Sequence, residues 1–207
     1  MPDDEPTDDD LMRRYAQGDA PAFERLYRRH AGPLYRFVRR LLGRRAPGAV
    51  DEVFQDTWQR VIQARERWAP QGASFRTWLF TIAQRRAIDL LRRDGREVAL
   101  DDGGDDGGDA FVPEGRPWDG WPAAQDDEAV DRSFWRAAGA RLLDCLEGLP
   151  VAQRAVFLLH HEDGLSLDEA ARALQLGFET AKSRLRYAMD KLRTCMGAYL
   201  PAKATTR

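Results

Sequence analysis

Residues 94–131 constrain this chain more than any other stretch. They hold thirteen acidic residues against two basic ones, Arg96 and Arg116, and are rich in glycine and aspartate. No apolar period runs through them. Such a stretch cannot bury enough apolar surface to offset the entropy of ordering its backbone. It therefore reads as a flexible acidic linker, and any core must form on either side of it. Phe111, Trp118 and Trp121 stand out within it. They suit either local anchoring onto a neighbouring domain or docking into a partner protein.

On both sides the apolar residues recur at helical spacing, and no strand pattern is visible. In residues 11–93, Asp19 followed by Pro21 reads as a capped helix start. Phe23, Leu26, Tyr27, Leu34, Phe37, Val38, Leu41 and Leu42 continue it, and Gly43 offers a stop. A second helix over 51–67 carries Phe54, Trp58, Val61 and Ile62. Pro70 to Gly72 breaks it, and a third runs over 75–93 on Leu79, Ala83, Ala87 and Leu90. In residues 132–196, Trp135, Ala138, Leu142, Leu146 and Leu149 step by three or four, and Pro150 opens the next helix. Ser166 to Glu169 is a capping box. The last helix is read as burying Phe178, Ala181, Leu185, Ala188 and Leu192. The expected fold is all-α: an N-terminal helical bundle (11–93) and a C-terminal helix-turn-helix domain (132–196). Residues 1–10 and 197–207 are expected to be tails, the first acidic and disordered.

Charge divides the chain in the same way. Residues 1–10 carry six acids and no base, and 94–131 carry a net −11, so the remainder holds a net +15 although the whole chain sums to −2. Basic folded parts with acidic loose parts point to a polyanionic partner, nucleic acid first. No run of apolar residues is long enough to span a membrane, and the acidic start has no apolar stretch. The expected location is the cytoplasm. Cys145 and Cys195 lie far apart without a CxxC spacing, and adjacent His160 and His161 point to different sides of a helix, so neither metal nor cofactor is expected.

Three helix faces are candidates for function. The first is the helix that follows the capped segment 166–174. Opposite its apolar side stand Glu179, Lys182, Ser183 and Arg186, with Arg184 to one side. In helix-turn-helix geometry the N-terminal part of that helix meets base edges in the major groove. The bland alternative is a solvated face on a helical hairpin. The second is helix 75–93, where Arg85 and Arg92 are seven apart, as are Arg86 and Arg93, so each pair shares a face. With Phe75, Arg76 and Trp78 near its start, it suits DNA being melted, since cations neutralise phosphate and rings stack on unpaired bases. The alternative gives Trp78 to the core and the arginines to solvent. The third is the polar, non-basic stripe of Glu52, Gln55, Asp56 and Gln59, suited to a protein partner or simply to water. No phosphate loop, HExxH or GxSxG occurs, so no catalytic residue is expected.

Four blocks occur in order: GDAPAFERLYRRHAGPLYRFVRRLLG, DEVFQDTWQRV, FRTWLFTIAQRRAIDLLRR and GLSLDEAARALQLGFETAKSRLRYAMDKLR. As an ordered set they resemble the extracytoplasmic-function (ECF) group of bacterial sigma factors. The resemblance implies that residues 11–93 bind core RNA polymerase and open the −10 promoter element. It implies that Glu52, Gln55, Asp56 and Gln59 grip the coiled coil of the largest polymerase subunit. Residues 68–74 with Phe75, Arg76, Trp78, Arg85, Arg86, Arg92 and Arg93 would hold a flipped base and its strand. Glu179, Lys182, Ser183, Arg184 and Arg186 would read the −35 element, and the acidic linker would thread the RNA exit path.

The chain departs from the family pattern in two places. Arg85 stands where the group often has asparagine near the flipped base. Gln175 and Gly177 replace a turn glycine and a proline. Members of the group are often held by an anti-sigma protein, though no motif here shows one, and the free chain is expected to be a monomer. The alternative is a helix-turn-helix regulator that binds duplex without polymerase.

Overall fold

The computed structural model describes residues 5–69, 72–93 and 128–199, with the side chains of 128–132 and of 198 left aside. The linker expected over 94–131, with Phe111, Trp118 and Trp121, lies outside the described residues except for 128–131, which already belong to a helix. Among the described residues there are helices and turns and no strand. The N-terminal half comprises α1 (Asp8–Ala16), α2 (Ala20–Leu42), α3 (Val50–Ala64) and α4 (Phe75–Arg93). The C-terminal half comprises α5 (Glu128–Glu147), α6 (Val151–Phe157, running on into a π-helical turn over Leu158–Glu162), α7 (Leu167–Leu174) and α8 (Phe178–Cys195).

The chain starts its fold earlier than its acidic composition suggests. Thr7 is the N-cap of α1 and forms a reciprocal capping box with Asp10. Asp8 accepts hydrogen bonds from His30 at 2.7 Å and Arg29 at 2.9 Å. Burial works to raise its carboxyl, but those hydrogen bonds outweigh burial and hold it below its ordinary value. Asp9 accepts the Phe75 backbone N–H at 2.6 Å, so an acidic residue of the first helix caps the start of α4. The expectation of a disordered tail over 1–10 is therefore corrected for residues 5–10, whose acids pair with specific donors.

Local chemistry sets the other boundaries. Asp19 caps α2 by accepting from Ala22 N–H, as its position before Pro21 predicts. Ser166 and Glu169 form the expected capping box at the start of α7. Gly43 ends α2 at φ +54°, a left-handed conformation, and a Cβ there would stand 2.9 Å from the Arg154 guanidinium. Glycine is required at this position on both counts. The turn between α7 and α8 puts Gln175 at φ +56°, the one non-glycine residue with positive φ among those described. The geometry that a glycine would adopt freely is thus held here against its preference.

One apolar cluster runs through both halves, from Leu11, Leu34, Phe37 and Phe80 to Val156, Leu159, Leu185 and Leu192. The sequence pictured two modules on a leash. The structure seats α7 on α4 and brings α6 and its π-turn against α2. Arg154, 1% exposed, lies at this junction. It donates to the carbonyls of Arg40 and Leu41 at the end of α2, and to those of Glu147 and Leu149 at the end of α5. Arg40 pairs with Glu162, and Arg44 with Asp144 and Glu147, across the same junction. Cys145 and Cys195, whose spacing carries no pairing signal, form a disulfide that ties α5 to the end of α8.

Candidate nucleic-acid interface

α8 buries Ala181, Leu185, Ala188, Met189 and Leu192 and turns Glu179 fully outward. Lys182 lies 3.7 Å from Glu179, and the Arg186 guanidinium stacks 4.9 Å from the centre of the Tyr187 ring. Lys182, Ser183, Arg184 and Arg186 are all partly exposed. Glu179, Lys182, Ser183 and Arg186 therefore share one accessible helix surface, with Arg184 to one side, preceded by the capped α7 at a tight turn. Phe178 corrects the sequence expectation. It is the first residue of α8 and is 47% exposed rather than buried.

α4 separates the residues predicted together on it. Phe75 is fully buried, ringed by His30 at 5.6 Å, Trp78 at 6.0 Å and Trp68 at 6.4 Å. It cannot offer its face to a base; it backs Trp68 and Trp78, which remain partly exposed. Arg76 is partly exposed, and Arg92 and Arg93 are exposed at the far end. Arg86 is the second correction. It is 9% exposed and turned away from solvent toward α3, where it pairs with Asp56 and lies 3.8 Å from Glu52. A buried guanidinium locked to a carboxylate is not a phosphate contact. The same bond ties Asp56 into the fold, where the stripe pattern alone offers it to a partner or to water. Glu52, Gln55 and Gln59 stand exposed on α3 as the stripe predicts.

Contacts from the C-terminal half fall on the predicted −10 surface. Arg85 donates to the Gln175 side chain at 3.1 Å, and Arg172 donates to the Gly72 carbonyl at 2.7 Å. The α7–α8 turn thus rests beside the loop and arginine face of α4. Periodicity within a single helix carries no sign of such a contact between halves.

Comparison with known proteins matches both halves to one family. The sigma-70 region 2 family model matches residues 26–97, and the sigma-70 region 4 model matches residues 139–192. An ECF RNA polymerase sigma factor SigK from Mycolicibacterium vanbaalenii is 33% identical over 91% of this chain and 89% of its own length. The SigK of Mycobacterium bovis is 31% identical over 91% of this chain and 92% of its own. Among solved structures, CnrH in complex with the cytosolic domain of CnrY superposes with a TM-score of 0.63 at 26% identity, covering 92% of this chain and 97% of that one. RpoE of Bartonella quintana, solved with the anti-sigma factor NepR, gives 0.59 at 22% identity over 84% and 96% of the two chains, a likeness of fold.

The chain belongs to the ECF group of the sigma-70 family. It is a specificity subunit that binds core RNA polymerase and directs initiation at promoters through their −10 and −35 elements. Residues 26–97 and 139–192 are its regions 2 and 4. No described helix is long and apolar enough to cross a membrane.

Proposed function

We propose that promoter reading is divided between the outer surface of α8 and the loop-plus-α4 surface, with the α3 stripe docking on polymerase. The observation that carries this is the partition of α8: five apolar residues buried, and Glu179, Lys182, Ser183 and Arg186 left on the side that a major groove can receive. Lys182, Ser183, Arg184 and Arg186 read the −35 duplex. Trp78, Arg76, Arg85, Arg92 and Arg93, with residues 68–74, receive the melted −10 strand. Glu52, Gln55 and Gln59 meet the polymerase coiled coil. The protein acts in the cytoplasm, as a monomer until it joins polymerase, and carries no catalytic chemistry. A regulator independent of polymerase is disfavoured, since it leaves residues 26–97 without a role.

In the packed form Arg85 and the Gly72 carbonyl are already bonded to Gln175 and Arg172. Engagement of the −10 strand therefore requires the α7–α8 turn to let go. Two solved relatives are held by protein partners, one described as an anti-sigma factor. A partner of that kind would stabilise a form such as this one.

Run-off transcription with purified core polymerase tests the assignment. Lys182→Ala and Arg186→Ala should each weaken −35 binding by about 1–3 kcal/mol where they touch bases. Unchanged promoter output in both would show that the reading face lies elsewhere. A second test separates docking from folding on α3. Gln55→Ala should reduce capture of core polymerase with no change in melting. Asp56→Ala should lower the melting temperature, because it strands the buried Arg86, at a cost of about 2–4 kcal/mol. Equal melting of the two variants would contradict the Arg86–Asp56 assignment.

A further inference from the structure

Phe178 is the first residue of α8 and has 47% of its surface exposed. Its ring is left open to solvent, whereas the neighbouring Leu176 packs against the core cluster. Its position on α8 gives the exposed ring a candidate ligand. Phe178, Lys182 and Arg186 are spaced four apart, so they follow one ridge of the helix, rotating about 40° per step. The polar members of this ridge are those assigned to base edges. The ring sits one turn nearer the N-terminus, the end that enters deepest in helix-turn-helix docking. In the major groove the one apolar group on a base-pair edge is the thymine 5-methyl.

We propose that Phe178 is a specificity-determining residue that selects a thymine in the −35 element by packing on its 5-methyl group. The inference rests on α8 being the −35 reader. One helical turn along the ridge is about 6 Å. Successive base pairs are about 3.4 Å apart. The selected thymine therefore lies within about two base pairs of the base read by Lys182.

Uracil in place of thymine deletes the methyl and leaves the hydrogen-bonding edge unchanged, so it isolates this contact. The full chain is assembled with core polymerase and used to select duplexes from a pool with a randomised upstream element. Each thymine of the selected element, on either strand, is then replaced singly by uracil, and binding is measured by competition at fixed salt. The wild-type holoenzyme should lose about fourfold at one position, the worth of one buried methyl group. Phe178→Ala should bind the thymine duplex at least that much more weakly and be indifferent to uracil there. It should keep wild-type discrimination at the base pair that Lys182→Ala relaxes. Phe178→Leu should retain the methyl preference. Melting of Phe178→Ala should match the wild type, because the ring lies outside the core.

The proposal is overturned if no single uracil affects the wild type, or if Phe178→Ala keeps the same uracil sensitivity. It is overturned equally if the variant's only defect is weaker assembly with core polymerase, which would make the ring a protein contact. Those outcomes leave the assignment of α8 standing so long as Lys182→Ala and Arg186→Ala still alter −35 selection. If they too have no effect, both fall together.

Discussion

Arg154→Met should destabilise the protein by about 3–5 kcal/mol and let its two halves separate. The reason is the convergence of two helix ends on one cation. The last carbonyls of a helix have no intrahelical donor and carry partial negative charge. At the end of α2 those of Arg40 and Leu41 accept from Arg154 Nη1, at 3.2 and 3.3 Å. At the end of α5, Glu147 and Leu149 accept from Nη2, at 2.6 and 3.0 Å. Burial pushes the guanidinium down to about 10, so it stays charged at neutral pH. Methionine fills similar length with apolar atoms and donates nothing, so it strands four acceptors in a dry junction. Lysine restores charge without the planar fork and should recover only part of the loss. Chemical denaturation gives the free energy, and small-angle scattering reports the separation. Melting and scattering profiles identical to wild type would mean that Arg154 does not hold the halves together.

That junction is built by tertiary contacts, which local sequence patterns do not encode. Helix identity followed from periodicity, because one strip of side chains must face the core. Asp19, Gly43 and the Ser166–Glu169 box set boundaries through short-range hydrogen bonds that sequence encodes directly. The first helix is equally legible in the capping-box spacing of Thr7 and Asp10, although the acidic run around them has the composition of a tail. Arg154 was legible in part, as a lone cation among Val151, Ala152, Ala155, Val156 and Phe157. A charge in such a place must have partners, and which ones depends on tertiary packing.

The candidate site divides along the same line. Exposure of Glu52, Gln55, Gln59 and Glu179 followed from helical phase. Arg86 and Arg93 share phase on α4, yet one is locked to Asp56 and the other is exposed, since α3 covers only part of that face. Phe178 has the phase of a core residue but opens α8 and stays 47% exposed. Cys145 and Cys195 meet only because α5 and α8 are neighbours, which no spacing of fifty residues could foretell.

Asp163 should make the packed form more stable in mild acid than in mild base. It follows the π-turn after α6 and is 7% exposed, with Oδ2 buried and without a hydrogen-bond partner. Burial pushes its carboxyl up to about 7 from an ordinary 3.8, and the neighbouring Glu162 adds to the rise. Arg36 and Arg40 of α2 and Arg76 of α4 oppose it without reversing it. A carboxyl raised in the folded state binds its proton there while the unfolded chain has already lost it. Its contribution is therefore fully present below about pH 4 and is lost as pH rises through about 7. Between pH 5 and pH 8 the difference is on the order of 2–3 kcal/mol. Asp163→Asn keeps the neutral shape at every pH. It should raise stability at pH 8 and flatten the dependence from pH 5 to 8, with little change at pH 5. Thermal melting at constant ionic strength measures all three. The same slope in the asparagine variant as in the wild type would place the titrating group elsewhere. A wild type with no slope would show that the Asp163 carboxylate finds compensation among those three arginines, and that the junction between the halves tolerates its charge.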